Sequence, residues 1–319
     1  MTLEAISIQH AASGAKASIL PGLGFNCFQW QATVGGESRE LLWFDPDLLS
    51  GTTKPTRSGI PLLFPFSGRI TGSVVTFEGK TYDVADHLDD FGNPIHGFVL
   101  KRAWRVVVKS DDRVTGEFQS SVDDPSLVAK WPADFRIRVT YQISADTLCS
   151  EFEVHNPDTK LLPFGLGTHG YFRVPLGKAG DAKECVLTIP ARYNWGLSDK
   201  LVPTTELKVT PLSEGLNRGM KLEDKNLDNL LTDLTFENQV CTTSVADPKT
   251  KRRLTVRFGN EFANCVVFVP PHHEAVCIEP YTTAPDPFRL QTMGVDAHLQ
   301  LLAPGSTWRS WIEMRVAAD

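Results

Sequence analysis

The 319-residue chain predicts an all-β fold, specifically a large antiparallel β-sandwich. Apolar and polar residues alternate over long stretches, which is typical of strands with one buried face. Clusters of Gly, Pro, Asp and Asn separate these stretches and indicate turns. Helical periodicity is limited to short candidates such as Val84–Phe91. Strands do not alternate with helices of about ten residues, which a parallel α/β sheet would require.

A hairpin is the clearest of the predicted elements. Ile137, Val139 and Tyr141 share one face of a strand, and the period of two resumes at Leu148 and Phe152 after a polar turn. Further strands are predicted at Trp104–Lys109, Val114–Gln119, Glu184–Ile189, Leu254–Phe258, Cys265–Val269, Ala275–Ile278 and Trp308–Val316. Because the chain shows no fixed repeat, low-complexity segment or change in composition, we expect residues 1–319 to form one domain.

The net charge and the absence of long basic or apolar runs bear on which classes of partner the protein could have. The net charge is −6, and no segment carries the dense run of Lys and Arg that binds phosphate backbones. Near the N-terminus, Glu4 stands where a signal peptide would be basic, and no apolar run reaches membrane-spanning length. We therefore expect a cytoplasmic protein with neither a nucleic-acid nor a membrane partner, while its oligomeric state stays open.

The cysteines favour the same compartment. They lie far apart in apolar, strand-like contexts, and none forms a CxxC pair. Buried, reduced thiols are the simplest interpretation. The six positions are Cys27, Cys149, Cys185, Cys241, Cys265 and Cys277.

Four segments combine ionisable residues with Gly and Pro in a way that strand packing does not require. The first is Ser58–Ile70, where Pro61 and Pro65 remove donors from a strand ladder and so predict a rigid loop or an edge strand. Arg69 lies near its end. Two interpretations stay open for this residue, a solvated strand end and a forked donor to ligand oxygens.

Histidines mark the second and third segments. His96 precedes Gly97, which permits close backbone approach, although a lone His in such a turn is commonly structural. His169 lies between Gly167 and Gly170, so space is available for a ligand to approach its ring. Tyr171 follows and could offer a flat apolar surface to a sugar ring.

The fourth segment carries a carboxylate. Glu279 directly follows the apolar run Ala275–Ile278, so partial desolvation should raise its pKa and suit it to base chemistry near neutral pH. A strand-end Glu that reaches solvent is the alternative. His272 and His273 are adjacent, so they point to opposite sides of an extended chain, and we interpret them as a solvated turn rather than a metal site.

In order and residue type, these segments resemble the aldose 1-epimerase (galactose mutarotase) family. The resemblance covers about Ser58 to Phe288 and departs from the family pattern at Gly68, Thr168 and Pro287, which bears on the substrate more than on the chemistry. The matching motifs are Gly59-Ile60-Pro61 with Arg69-Ile70, His96-Gly97-Phe98 with Trp104, Thr168-His169-Gly170-Tyr171-Phe172, and Ile278-Glu279-Pro280 with Pro285-Asp286.

The resemblance implies a galactose mutarotase-like supersandwich and an isomerase that interconverts the α and β anomers of a hexose. It implies that His169 is the general acid and Glu279 the general base, and that Arg69 and His96 hold the sugar. No metal or other cofactor is expected.

A family aspartate that accepts sugar hydroxyl protons is matched loosely by Asp228, with Asp233 as the alternative.

Three other functions remain open at this stage. Relatives that act on hexose 6-phosphates need extra cations, for which Arg57, Arg102 and Arg173 are candidates. A non-catalytic carbohydrate-binding protein would share the fold. A glycoside hydrolase would need a carboxylate pair such as Glu279 and Asp286.

Overall fold

Strands dominate the structure, a computed structural model that describes residues 3–51 and 53–319. Within these residues there are twenty-five strands and three short α-helices. In the first half of the chain they are β1 (Ile6–Gln9), β2 (Lys16–Leu20), β3 (Asn26–Val34), β4 (Glu37–Glu40), β5 (Leu62–Leu63), β6 (Val74–Phe77), β7 (Lys80–Asp83), β8 (Arg105–Lys109), β9 (Arg113–Gln119), α1 (Ser120–Asp123), β10 (Arg136–Ile143) and β11 (Thr147–His155).

The second half continues the pattern with two of the three helices. Its elements are β12 (Leu162–Phe164), β13 (Gly167–Thr168), β14 (Gly170–Arg173), β15 (Val186–Thr188), β16 (Ala191–Leu197), β17 (Pro203–Lys208), α2 (Pro211–Arg218), β18 (Met220–Lys221), β19 (Asp228–Leu234), β20 (Val240–Asp247), β21 (Arg252–Gly259), β22 (Asn264–Phe268), β23 (Ala275–Tyr281), α3 (Pro287–Thr292), β24 (Gln300–Leu302) and β25 (Thr307–Ala318). Short 3-10 turns lie at Leu48–Ser50, Pro55–Arg57, Val99–Lys101, Pro125–Ala129 and Ala182–Glu184.

Two large sheets form the body of the molecule. One has nine strands in the order β18-β15-β20-β21-β25-β11-β10-β9-β8. The other has eight, in the order β17-β16-β19-β22-β23-β13-β5, with β14 also pairing with β23. A four-stranded sheet, β1-β2-β3-β4, and two small pairs, β12-β24 and β6-β7, complete the fold. The all-β antiparallel architecture predicted from the sequence is confirmed.

One large cluster of apolar side chains joins the sheets. It includes Trp30 from the four-stranded sheet, Tyr141 and Val256 from the nine-stranded sheet, and Val267 and Ile278 from the eight-stranded sheet. Along β21, buried residues alternate with partly buried ones, as expected for a strand with one face in the core. Each fully buried aliphatic or aromatic side chain contributes about 1.5–3 kcal/mol relative to exposure, so this shared core holds the sheets together.

Most of the strands expected from the sequence are present. The hairpin is formed by β10 and β11, which pair Ile137 with Val154 and Ile143 with Leu148. The other predicted runs overlap β8, β9, β15, β21, β22, β23 and β25. As the prolines of Ser58–Ile70 predicted, this segment forms only the two-residue edge strand β5.

The helix suggested for Val84–Phe91 is wrong, because this segment is a loop. Its backbone N–H groups find side-chain acceptors instead of helical carbonyls: the Asp89 carboxylate accepts hydrogen bonds from the N–H groups of Phe91 and Asn93. Such local bonds from Asp compete with helix formation. The loop instead forms part of the cavity wall described below.

All six cysteines are free thiols, five of them buried, as the sequence led us to expect. In the described part of the chain, no helix is long and apolar enough to cross a membrane.

Candidate active site

A cavity of about 570 Å³ lies over one face of the eight-stranded sheet. Three of its strands each contribute a pair of residues two apart, which lie on the same face because successive side chains of a strand alternate. The pairs are Asp228 and Leu230 from β19, Val266 and Phe268 from β22, and Glu279 and Tyr281 from β23. The walls come from loops around Arg69, His87–Phe91 and His96. The size is within the range of small-molecule sites.

His169 and Glu279 meet in this cavity, with the Nε2 atom of His169 3.3 Å from the Oε1 atom of Glu279. Antiparallel pairing positions them: His169 lies between β13 and β14, and both strands pair with β23. The side chains are 10% and 1% exposed. Residues 110 apart in sequence therefore form one buried contact between an imidazole and a carboxyl group.

Burial dominates the electrostatics of the pair. It raises the pKa of Glu279 well above its ordinary value; the Tyr281 hydrogen bond and the Arg69 charge oppose this effect, and the Asp228 charge adds to it. Burial lowers the pKa of His169 to about 3, and the charge of Arg69 adds to this effect. The opposite shifts favour the neutral form of both groups, with a proton on the carboxyl group rather than on the imidazole. The protonated His169 expected from the sequence requires that proton to move across the 3.3 Å contact.

Arg69 and His96 supply donors at the cavity. The Nε of Arg69 donates to Asp89 at 2.7 Å, whereas its terminal amino groups make no hydrogen bond within the described residues. The Nδ1 of His96 accepts a hydrogen bond from the N–H of Gly68 at 3.3 Å, so the proton of a neutral ring is on Nε2. Burial, with the charges of His169 and Arg69, holds the pKa of His96 well below its ordinary value. His96 is thus a neutral donor.

Close backbone approach positions His96. The residue has a positive φ of 65°, and Gly97 follows with a φ of 71°. A Cβ atom at Gly97 would lie 2.1 Å from the carbonyl oxygen of Phe64, which leaves no room for any other residue there. The close backbone approach that the sequence predicted at Gly97 therefore requires a glycine at this position.

Asp228 lines the cavity, and Asp233 is not among its lining residues. The Asp228 side chain is accessible but confined by the cavity walls, and this loss of surrounding water raises its pKa, while the Arg69 charge opposes the shift. Asp233 lies 3.8 Å from Arg192 in an exposed ion pair. Geometry thus favours Asp228 of the two aspartates that the sequence left open.

Tyr171 lines the cavity, but one face of its ring is occupied. The ring stacks on the imidazole of His169 with centroids 4.8 Å apart and planes 4° from parallel. Its hydroxyl donates to the carbonyl oxygen of Thr56 at 2.8 Å. The sequence led us to expect that the Tyr171 ring offers a flat surface to a sugar. One face of the ring instead packs against His169.

The three arginines considered for a phosphate differ in position. Arg57 lines the cavity. Arg102 is held in ion pairs with Asp86 and Asp124, and Arg173 donates from Nε to the carbonyl oxygen of Leu42. Neither Arg102 nor Arg173 is among the residues that line the cavity.

Asp286, the carboxylate considered with Glu279 for a hydrolase, lies outside the cavity lining among the described residues. Asp286 is buried, and its Oδ2 accepts a hydrogen bond from the hydroxyl of Thr71 at 2.6 Å and also binds Arg289. Its carboxylate is therefore bound by Thr71 and Arg289 and does not line the cavity with Glu279.

Several cavity residues escaped the sequence interpretation. His272 does lie in a turn, as predicted, but its ring also stacks on Trp43 at 4.2 Å, and both line the cavity. Trp43 carried no sequence signal, because its proximity to His272 arises from chain segments far apart. Tyr281 could have been found, because it lies two residues beyond Glu279 on a strand and so shares its face.

The described residues include one group that could hold a metal ion: His169, Cys277 and Glu279, whose ligand atoms lie within 4.8 Å of one another. Burial raises the pKa of the Cys277 thiol well above its ordinary value, which opposes the thiolate form that binds metals.

Several solved structures share this fold. A galactose mutarotase-like protein from Clostridium acetobutylicum superposes with a TM-score of 0.84 at 19% identity, covering 100% of this chain and 99% of the other. A galactose mutarotase-like protein from Lactobacillus casei gives 0.77 at 20% identity, with 98% and 100% covered. Galactose 1-epimerase from Lactobacillus acidophilus gives 0.73 at 15% identity, with 99% of both chains covered.

Curated relatives match over shorter segments. The uncharacterized protein YphB of Escherichia coli is 29% identical over 112 residues, which is 34% of this chain and 35% of YphB. The plasmid-encoded protein LacX of Lactococcus lactis is 25% identical over 139 residues, 43% of this chain and 42% of LacX. The matched region thus spans about a third to two fifths of these relatives. The model of the aldose 1-epimerase family matches residues 4–315, and the chain therefore belongs to that family.

Proposed function

We propose that this protein is an aldose 1-epimerase that interconverts the α and β anomers of a hexose, with His169 and Glu279 as the acid-base pair. The observation that carries the proposal is the 3.3 Å contact of these two side chains in a cavity also lined by Arg69, His96 and Asp228. Anomer exchange needs an acid and a base within reach of two neighbouring oxygens of one sugar.

The reaction begins with transfer of the proton from Glu279 to Nε2 of His169. Glu279 then takes the proton of the O1 hydroxyl, His169 gives its proton to the ring oxygen O5, and the bond between C1 and O5 breaks to leave the aldehyde. After rotation about the C1–C2 bond, O5 attacks the other face of C1, returns its proton to His169, and O1 receives the proton of Glu279. Transfer of the proton from His169 back to Glu279 then restores the starting state.

Fixed donors assist where negative charge gathers on oxygen during ring opening. Arg69 presents the terminal amino groups of its guanidinium, and His96 presents an N–H in a fixed orientation. Such preorganised donors stabilise a developing charge without reorienting during the reaction. Asp228, which also lines the cavity, accepts hydrogen bonds from sugar hydroxyls.

The test is anomer exchange measured by NMR. A freshly dissolved pure anomer of galactose or glucose is followed with and without the protein, and we expect faster equilibration. A sugar that binds but equilibrates at the uncatalysed rate would show a non-catalytic carbohydrate-binding protein instead.

A second candidate substrate is a hexose 6-phosphate, because Arg57 and Lys54 both line the cavity. Lys54 is paired with Asp90 at 3.2 Å, which leaves Arg57 as the cation without a carboxylate partner among the described residues. The same NMR panel with 6-phosphates decides between the substrates. For a phosphate substrate, Arg57→Gln would raise KM about 10-fold or more, and for a free hexose it would change KM little.

A further inference from the structure

Tyr281 makes a direct contact with the base of the proposed reaction. Its hydroxyl donates a hydrogen bond to the Oε2 atom of Glu279 at 2.7 Å, and both side chains are almost fully buried, 2% and 1% exposed. The two oxygens of Glu279 are therefore unequal: Oε2 is occupied by Tyr281, while Oε1 has no hydrogen-bond partner and lies 3.3 Å from His169.

The position of the Tyr281 ring depends on a glycine in the neighbouring strand. Gly167 of β13 lies opposite Tyr281 of β23. A Cβ atom added at Gly167 would lie 2.5 Å from Cδ1 of the ring and 2.8 Å from Cε1. Since real Cβ atoms do not approach so closely, glycine at 167 leaves room for the ring in its observed position.

We propose that Tyr281 is a positioning residue that holds Glu279 through Oε2 and directs Oε1 toward His169 and the sugar. This inference rests on the proposed function, because the orientation of Oε1 matters to catalysis only if Glu279 transfers protons. Tyr281 does not touch the reacting atoms; it acts through the carboxylate that it binds.

Two physical effects follow from this hydrogen bond. First, it restricts rotation of the carboxylate, and misplacing a reacting group by about 1 Å costs about 100-fold in rate. Second, donation to the charged form favours the carboxylate and opposes the rise that burial causes in the pKa of Glu279. Burial also raises the pKa of the Tyr281 phenol well above its ordinary value, so this hydroxyl keeps its proton and remains a donor.

Other groups around Glu279 act on the same carboxylate. His169 faces Oε1, and the charges of Asp228 and Arg69 shift the pKa of Glu279 in opposite directions. None of these is removed by Tyr281→Phe, which deletes one hydroxyl and keeps the ring. The variant therefore isolates the hydrogen bond.

Tyr281→Phe has a distinctive kinetic signature. The active pair holds one proton, and the basic limb of the pH profile reports its loss. Without the hydroxyl, the carboxylate is less stable, so this limb moves to higher pH by about one unit. At the same time kcat falls about 10- to 100-fold because Oε1 is less well directed, and KM stays within about twofold.

The experiment compares wild type, Tyr281→Phe and the control Tyr193→Phe. Tyr193 lies in β16 of the same sheet with its ring 4.8 Å from the guanidinium of Arg192, and it is not among the cavity residues. NMR anomer exchange gives kcat, KM and the pH profile. Infrared titration of ¹³C-labelled Glu follows the carboxyl band of Glu279, assigned by its loss in Glu279→Gln. Tyr193→Phe should match wild type in every measurement.

Three results would overturn the inference. The first is that Tyr281→Phe raises KM at unchanged kcat, which indicates direct sugar binding by Tyr281. The second is an unchanged infrared midpoint, which is the pH at which half of the Glu279 carboxyl band is lost. The third is a basic limb of the pH profile that moves to lower pH. If wild type does not accelerate anomer exchange, the proposed function fails, yet the infrared midpoint still tests whether Tyr281 holds Glu279.

Gly167→Ala is an independent variant, because its methyl group displaces the Tyr281 ring rather than removing the hydroxyl. We expect it to shift the infrared midpoint of Glu279 in the same direction as Tyr281→Phe. Combined with Tyr281→Phe, it should add no further shift, since the hydroxyl is already gone. A full additional shift would contradict the arrangement proposed here.

Discussion

Glu151 and Glu313 on the nine-stranded sheet contrast with Glu279 on the eight-stranded sheet. Glu151 and Glu313 face oppositely charged partners near solvent: Arg113 lies 2.8 Å from Glu151, and Arg257 lies 2.8 Å from Glu313. On the eight-stranded sheet, Glu279 lies in β23, all seven residues of which are buried. It faces a neutral His169 rather than a cation.

A reactive group can arise in either sheet of a fold that is built from antiparallel strands throughout. Both sheets are antiparallel and have the same period of two, so strand geometry does not distinguish them. What differs is solvation, because a carboxylate taken from water without a counter-ion has a raised pKa and exchanges protons readily.

Glu279→Gln should lower kcat by about 100-fold or more, because it removes the base while keeping the side-chain shape. It should also stabilise the protein. Since the pKa of Glu279 is raised by folding, wild type loses stability as the pH rises from the ordinary Glu value through the raised value. The amide does not ionise, and we expect a gain of about 1–2 kcal/mol in the free energy of unfolding near pH 8.

Urea unfolding at pH 5 and pH 8, beside NMR anomer exchange, measures both effects. Retention of full activity would show that another carboxylate is the base, and an equal or lower stability at pH 8 would show that burial of Glu279 has no cost.

The pH dependence of kcat/KM should reflect the shifted pKa values of His169 and Glu279. The acid limb reports a second proton on the pair, and since the pKa of His169 is lowered to about 3, activity should persist well below pH 6. The basic limb should lie above the ordinary range of Glu, because burial raises the pKa of Glu279. If kcat/KM instead falls as the pH is lowered, with a midpoint between pH 6 and 7, the acid limb would indicate a solvated histidine.

Asp228→Asn should raise KM about 10-fold with a smaller effect on kcat, because it weakens a hydrogen-bond acceptor in the cavity. Asp233→Asn is the matched control: it lies in the same strand but is exposed beside Arg192. Equal effects of the two substitutions on KM would contradict the assignment of Asp228 to the sugar site.

Arg113→Gln should have the smallest effect. Its ion pair with Glu151 is 41% and 48% exposed, and exposed pairs contribute at most about 1 kcal/mol. We expect urea unfolding to show a loss below that value and NMR to show unchanged anomer exchange. A loss in the free energy of unfolding as large as the gain expected for Glu279→Gln would contradict the distinction between the exposed Glu151 and the buried Glu279.

The sequence alone predicted the all-β architecture, the β10-β11 hairpin and the loop or edge character of Ser58–Ile70, because period-two patterns and proline chemistry act over a few residues. It also predicted the acid-base roles of His169 and Glu279 through a resemblance, and these roles remain predictions. It failed at Val84–Phe91, where an apolar pattern suggested a helix but the Asp89 carboxylate satisfies the backbone of a loop.

Tertiary structure decided the rest, because it depends on contacts between segments far apart in the chain. Pairing of β13 and β14 with β23 brings His169 to Glu279, and packing of distant loops brings Trp43 to His272. The preferred location of a proton in this pair is also a tertiary property: the sequence supplies an imidazole and a carboxyl group, but their burial raises the pKa of Glu279 and lowers that of His169.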